Sequence, residues 1–178
     1  YNARAVEIFQ EGLRVPPVRI VRQGILQDDL LSTILLNVRE PEMFRGDFLS
    51  QIAALEVGAR SIRALAARYG TPTLLSIGDA LLNHAETAMR LAITALADGV
   101  YEAEDFVDGD GLEPGRKRIA VKLTIAGDTL NLDFAGTAAQ AAGPINATMA
   151  TTKSAVYYAA IAAAGLATTA NSGCYRPI

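Results

Sequence analysis

The sequence predicts an α+β fold in which a long antiparallel helical hairpin is followed by an antiparallel β-meander and a packed Ala-rich helix. Up to residue 98, apolar residues recur three or four apart in long stretches, the period of an amphipathic helix. After Val100 the period drops to two, and an Ala-rich helical stretch returns near residue 145. The coarse order, helix, helical hairpin, β-meander, helix, is an α+β arrangement.

The elements follow in order. Pro16-Pro17 disfavours helix, so Val18, Ile20 and Val21 form a short extended piece that ends at Gly24. Asp28 or Asp29 caps a helix using Leu30, Leu31, Ile34, Leu35 and Val38 until Pro41 stops it. Asp47 caps the next, whose stripe is Phe48, Ile52, Leu55, Ala59, Ile62, Ala66 and Tyr69, with Arg60, Arg63 and Arg68 mostly off the stripe. Gly70 ends it. Thr71-Pro72 then supplies a cap and a first-turn proline for a helix using Leu74, Ile77, Leu81, Ala85, Ala88, Met89, Ala92 and Ile93 until Asp98-Gly99. So short a connection predicts the hairpin.

In the strand region Ile119, Val121, Leu123 and Ile125 share one face, and Arg118, Ala120, Lys122 and Thr124 the other. Gly127-Asp128 turns the chain into a strand with Leu130, Leu132 and Phe134, so Asp133 points away from the apolar face. A helix from about Ile145 to Ala164 closes the pattern. The organisation is an extended segment plus helix over 1–45, the hairpin over 46–98, and meander plus helix over 99–178.

The chain has 178 residues and 51% hydrophobic content, enough for one substantial core or a compact segment of something larger. Sixteen basic and nineteen acidic residues are interspersed without a basic stripe, which argues against a nucleic-acid partner. The low-charge stretch 132–166 is broken by Asp133, Gly143, Pro144, Asn146 and Lys153, which argues against a membrane span. A single cysteine, Cys174, excludes an internal disulfide framework and fits a reducing compartment, the cytoplasm by default. The start at Tyr1 and the stop at Arg176-Pro177-Ile178, which reads as the beginning of a further strand, suggest an excerpt of a longer polypeptide.

Several side chains invite chemistry. His84, the sole histidine, needs a nucleophile brought to it and otherwise reads as a helix residue; Cys174 needs an activating base and otherwise reads as buried. The acidic run Glu102, Glu104, Asp105, Asp108, Asp110 fails as a calcium loop, because Leu112, Glu113 and Ile119 fall where a ligand, a glycine and the closing Glu belong. It reads as a solvated turn. Lys153 in "TTKS" lacks the preceding glycines of a phosphate loop. The strongest candidate is the strand-loop-helix corner, where Asp133, Thr137, Gln140 and Asn146 surround small residues that let a ligand approach the backbone. The same residues also suit a tight turn and a helix cap.

The runs "LDFAGTAAQAAGPINATMATTKSAVYYA", "EGLRVPPVRI", "LNVREPEMFRGDFLSQIAALEVGARSIRALAARYG", "LADGVYEAEDFVDGDG" and "NSGCYRPI" occur in an order that resembles the hydantoinase B/oxoprolinase family. The resemblance implies a B-type subunit, or the corresponding half of a fused chain, that acts with an A-type ATP-binding subunit in a hetero-oligomer. Together such subunits hydrolyse cyclic amides such as hydantoin or 5-oxoproline with ATP. Relatives are α subunits of acetone and acetophenone carboxylases, so a ketone is the alternative substrate; a helical-hairpin assembly module without catalysis of its own is a third reading. The family's His- and Asp-rich region, associated with a divalent metal, lies upstream of the stretch that begins here at Glu11, so the resemblance implies no metal in this segment. It also implies that the segment alone is inactive. His84 departs from the aromatic residue more usual at its position. On this reading Asp133 orients a polar group of a lactam or ketone substrate, Thr137 and Gln140 offer neutral hydrogen bonds, and Asn146 adds a donor.

Overall fold

The structure, a computed structural model, describes residues 5–10, 12–166 and 170–178. Glu11, where the family-like "EGLRVPP" stretch opens, lies outside them. The chain is α+β and forms two compact units, residues 1–71 and 72–178. This division falls within the 46–98 segment.

In the first unit the extended piece is a minimal hairpin, with β1 (Val21–Arg22) antiparallel to β2 (Ile25–Leu26). Gln23 and Gly24 both take positive φ, 51° and 79°. That is the requirement of a two-residue hairpin turn whose twist matches its strands. Helix α1 (Asp28–Leu35) follows and buries Leu31 and Ile34. Its N-cap is Gln27, so Asp28 and Asp29 lie in the first turn and favour the helix dipole without capping it.

Pro41 begins a helix where the sequence pattern has it end one. Helix α1 finishes at Leu35, short of Arg39, and α2 (Pro41–Tyr69) starts on the proline itself. The ring lacks an N–H, but the first-turn N–H has no helical partner anyway, and the fixed φ suits the helix. Asp47 is therefore a second-turn residue and not a cap. Phe44 and Phe48 stack one turn apart, centroids 5.9 Å. No residue of α2 is buried, and Leu55 and Ile62 of the predicted stripe are exposed.

The second unit begins within α3 (Thr71–Thr94), which Gly70 separates from α2. Thr71 is the first helical residue, and the helix ends at Thr94, ahead of the expected Asp98. A three-stranded meander follows in the order β3 (Gly99–Gly109), β4 (Pro114–Ala126), β5 (Thr129–Asp133), antiparallel throughout. The register pairs Leu123 with Leu132, Ile125 with Leu130, and Lys122 with Asp133. Paired residues share a face, so the apolar set lies inside and Asp133 lies outside beside Lys122, as the alternation predicts.

Helix α4 (Met149–Ala163) starts four residues later than expected because Thr148, not Asn146, caps it: the Thr148 hydroxyl accepts the Thr151 N–H at 3.3 Å. The terminal stretch is a 3₁₀ turn, Ser172–Tyr175, followed by a further turn and not by a strand. Its Pro177 carbonyl joins the backbone of the sheet, accepting from Leu130 N–H at 2.8 Å. The core joins Ala85, Met89 and Ile93 of α3 to Ile125, Leu130, Ala160 and Cys174. Gly173 has no room for a side chain, since a Cβ there would run into the Leu82 carbonyl. Glu86 binds Arg90 and Arg176, at 2.8 and 2.9 Å, and so pins this terminal turn to α3. The two guanidiniums, Arg176 foremost, hold the Glu86 carboxyl below its usual range. No helix among the described residues is long and apolar enough to cross a membrane.

Candidate functional site

Beyond Asp133 the chain leaves the ladder but still follows the edge of β4. Thr137 takes the place of a strand residue there: its hydroxyl accepts from Ala120 N–H at 3.2 Å and donates to Ala120 C=O at 3.1 Å. Ala138 N–H then donates to the Arg118 carbonyl at 2.9 Å. Farther on, Gly143 packs so closely on the backbone of Asp110 that a Cβ would overlap its carbonyl. The 134–148 loop thus runs along β4 to the tip of the β3–β4 hairpin.

That path leaves a gap. Between the inner sheet face, the loop and the first half of α4 lies a cavity of about 930 Å³. Its floor is Ile119, Val121, Leu132 and Phe134, and Ala155 and Val156 form the opposite wall. Thr137, Gln140, Asn146 and Lys117 contribute to its lining. A mostly apolar hollow with a few convergent polar groups, in this size range, is the usual form of a small-molecule site.

The four corner residues divide between two faces. Asp133 lines a smaller hollow of about 340 Å³ on the outer sheet face, with Glu102, Glu104, Arg118 and Lys122, and accepts the Ala135 N–H at 2.8 Å. Thr137, Gln140 and Asn146 lie at the inner cavity. Asn146 closes its own loop: its side-chain oxygen accepts from Ala141 N–H at 2.9 Å and its amide donates to the carbonyls of Ala141 and Gly143, at 2.8 and 3.1 Å. Gln140 is exposed and, among the described residues, its side chain has no hydrogen-bond partner. The structure therefore brings together three of the four at one cavity.

Asp110 is the residue that sequence reasoning missed. The acidic run is not one solvated turn: Asp108 is exposed, but Asp110 is fully buried. Its Oδ1 accepts the N–H groups of Glu113 (2.7 Å) and Leu112 (3.0 Å), shaping the hairpin tip, while Oδ2 is buried without a hydrogen-bond partner and 3.6 Å from Lys117 Nζ. The Glu113 and Leu112 amides lower its pKa from 3.8 to about 2. The Asp-Gly-Asp-Gly spacing was the available signal, since an aspartate two residues ahead of a turn amide commonly accepts it.

The other candidates fall outside the cavity. His84 is exposed on α3, and Cys174 is completely buried in the core. Among the described residues no group of three or more His, Cys, Asp or Glu could hold a metal ion. Lys153 follows no glycine-rich loop of the kind that cradles a phosphate.

Comparison with known proteins agrees with the sequence pattern. The hydantoinase B/oxoprolinase family model matches residues 1–178, and the chain belongs to that family. A protein described as the putative B-type subunit of a D-/L-hydantoinase, from Pseudomonas sp. (strain NS671), is 34% identical over 98% of this chain and 31% of its own length. The acetophenone carboxylase delta subunit of Aromatoleum aromaticum is 28% identical over 78% of this chain and 21% of its own. The crystal structure of the ATP-dependent caprolactamase from Pseudomonas jessenii superposes with a TM-score of 0.85 at 27% identity, covering 98% of this chain and 30% of that one. The chain thus spans about a third of the length of the hydantoinase relative it matches.

Proposed function

We propose that this chain is part of an ATP-dependent cyclic-amide hydrolase that opens a hydantoin- or 5-oxoproline-type ring and works with an A-type ATP-binding subunit in the cytoplasm. The observation that carries the reading is the family match along the whole chain, joined to the close superposition on an ATP-dependent caprolactamase. The subunit designation of the hydantoinase relative supports assembly with a second polypeptide.

In this reading the segment contributes one apolar wall of the reaction chamber. Ile119, Val121, Leu132 and Phe134 exclude water from the ring. Thr137 and Asn146 spend their hydrogen bonds on backbone and fix the loop, whereas the exposed Gln140 offers its amide to orient a carbonyl or ring N–H. Asp133 holds the turn into the loop from the outer face. ATP is the co-substrate that supplies activation through the partner, and a divalent metal belongs to residues outside this segment.

The test is ATP turnover by the full-length parent co-purified with its A-type neighbour, in the presence of hydantoin, N-methylhydantoin, 5-oxoproline, caprolactam, or acetone or acetophenone with bicarbonate. Stimulation by a cyclic amide with ring-opened product establishes the hydrolase. The acetophenone carboxylase relative favours a second reading, and stimulation only by ketone plus bicarbonate would select it.

A further inference from the structure

We infer that the inner cavity selects an uncharged ring, with Lys117 donating a hydrogen bond to its carbonyl oxygen, and disfavours a ring that carries a carboxylate. The inference rests on the cyclic-amide reading and narrows its substrate class.

The charges decide it. Among the described residues, two cationic ones, Lys117 and Arg118, contribute to the lining, and no acidic one does. Alternation along β4 sends them to opposite faces. The Arg118 guanidinium is occupied on the outer face, donating to Glu104 Oε2 at 2.7 Å and to the Gly136 carbonyl at 3.2 Å. Lys117 pairs with Val107 in the register, lies on the inner face and lines the cavity, so it is the inner-face cation of the lining.

Lys117 is already faced by two carboxylates. Its Nζ lies 3.6 Å from the buried Asp110 Oδ2 and 3.5 Å from Glu113 Oε2. Those are charge contacts at the long edge of hydrogen bonding, and an ammonium has three protons to donate. One cation between two anions leaves a local balance of −1. A neutral carbonyl oxygen can accept a remaining proton without disturbing that balance. A ligand carboxylate would have to leave water for an apolar chamber whose lysine is over-matched, with like charges just behind it.

The three ring types separate on this basis. A simple lactam and a hydantoin offer a carbonyl on an uncharged ring, whereas 5-oxoproline carries a carboxylate at neutral pH. Gln140 on the loop offers both a donor and an acceptor to the adjacent ring amide.

The experiment measures KM and kcat of the full-length parent with its ATP-binding partner for caprolactam, hydantoin and 5-oxoproline, in wild type, Lys117→Met and Lys117→Arg. The expected result is a KM for the better neutral ring at least about tenfold below that for 5-oxoproline. Lys117→Met raises the neutral-ring KM about tenfold with kcat largely retained, and Lys117→Arg restores part of the loss. Preference for 5-oxoproline, or an unchanged KM in Lys117→Met, overturns the inference and leaves the hydrolase reading standing. Absence of turnover with every cyclic amide overturns both. The wild-type comparison of the rings decides selectivity even if the methionine variant does not fold.

Discussion

At one end of the inner sheet face Ile125 and Leu130 are each 7% exposed, packed under Met89, Ile93, Ala160 and Cys174; at the other, Ile119 is 44% exposed and looks into the cavity with Phe134. Both ends are written in the same alternating aliphatic code. What differs is the opposing surface: α3 and the terminal turn supply bulk over the first, while the first half of α4 offers Thr151, Thr152 and Ala155 over the second. Small side chains across a strand face leave a void that apolar strand residues cannot fill from their own side. Alternation therefore says which side chains face inward, and only the partner layer says whether they meet protein or a chamber.

Truncation should expose that contrast. Met89→Ala, at the filled end, removes a side chain with no solvent exposure and should cost about 2–5 kcal/mol in chemical denaturation. A loss near zero would mean that the filled end is no core. Acid acts next, through the hairpin tip that borders the open end. The folded-state pKa of Asp110 is depressed from 3.8 to about 2, so its stabilisation is fully present above about pH 4 and is lost as pH falls from there towards 2. Asp110→Asn should be less stable than wild type at pH 7, with the difference shrinking across that window; parallel curves would show that the carboxylate carries no such linkage. The smallest effect belongs to Ile119→Ala, at most about 1 kcal/mol because the residue is already partly in water. A loss as large as that of Met89→Ala would show that the cavity end is packed.

Much of this architecture was legible. Period-two alternation from Val100 to Phe134 gave the meander and the outward placement of Asp133, because side-chain direction in a strand is a local property. Pro41 was ambiguous, since proline both stops a helix and starts one, and here it opens α2. Asn146 and Thr148 are both good caps; the loop's need for an internal clamp at Ala141 and Gly143 took the asparagine. Asp110 looked solvated among four other acids, and nothing in a charge count reveals that the 134–148 loop folds back over it. The corner's small residues pointed to the cavity, yet Lys117 carried no signal of its own, because its role depends on contacts with Asp110 and Glu113 at the hairpin tip.

The terminal turn also sets an order of events during synthesis. Arg176 meets Glu86, Cys174 enters the core beside Met89, and Pro177 receives the Leu130 amide, so the face of α3 is sealed by residues translated some 90 positions later. Until they leave the ribosome, Ala85, Met89 and Ile93 lack part of their cover, and the second unit cannot finish folding as a unit. A nascent chain halted before Cys174 should therefore bind chaperone through α3, and release should follow emergence of the Cys174–Ile178 stretch.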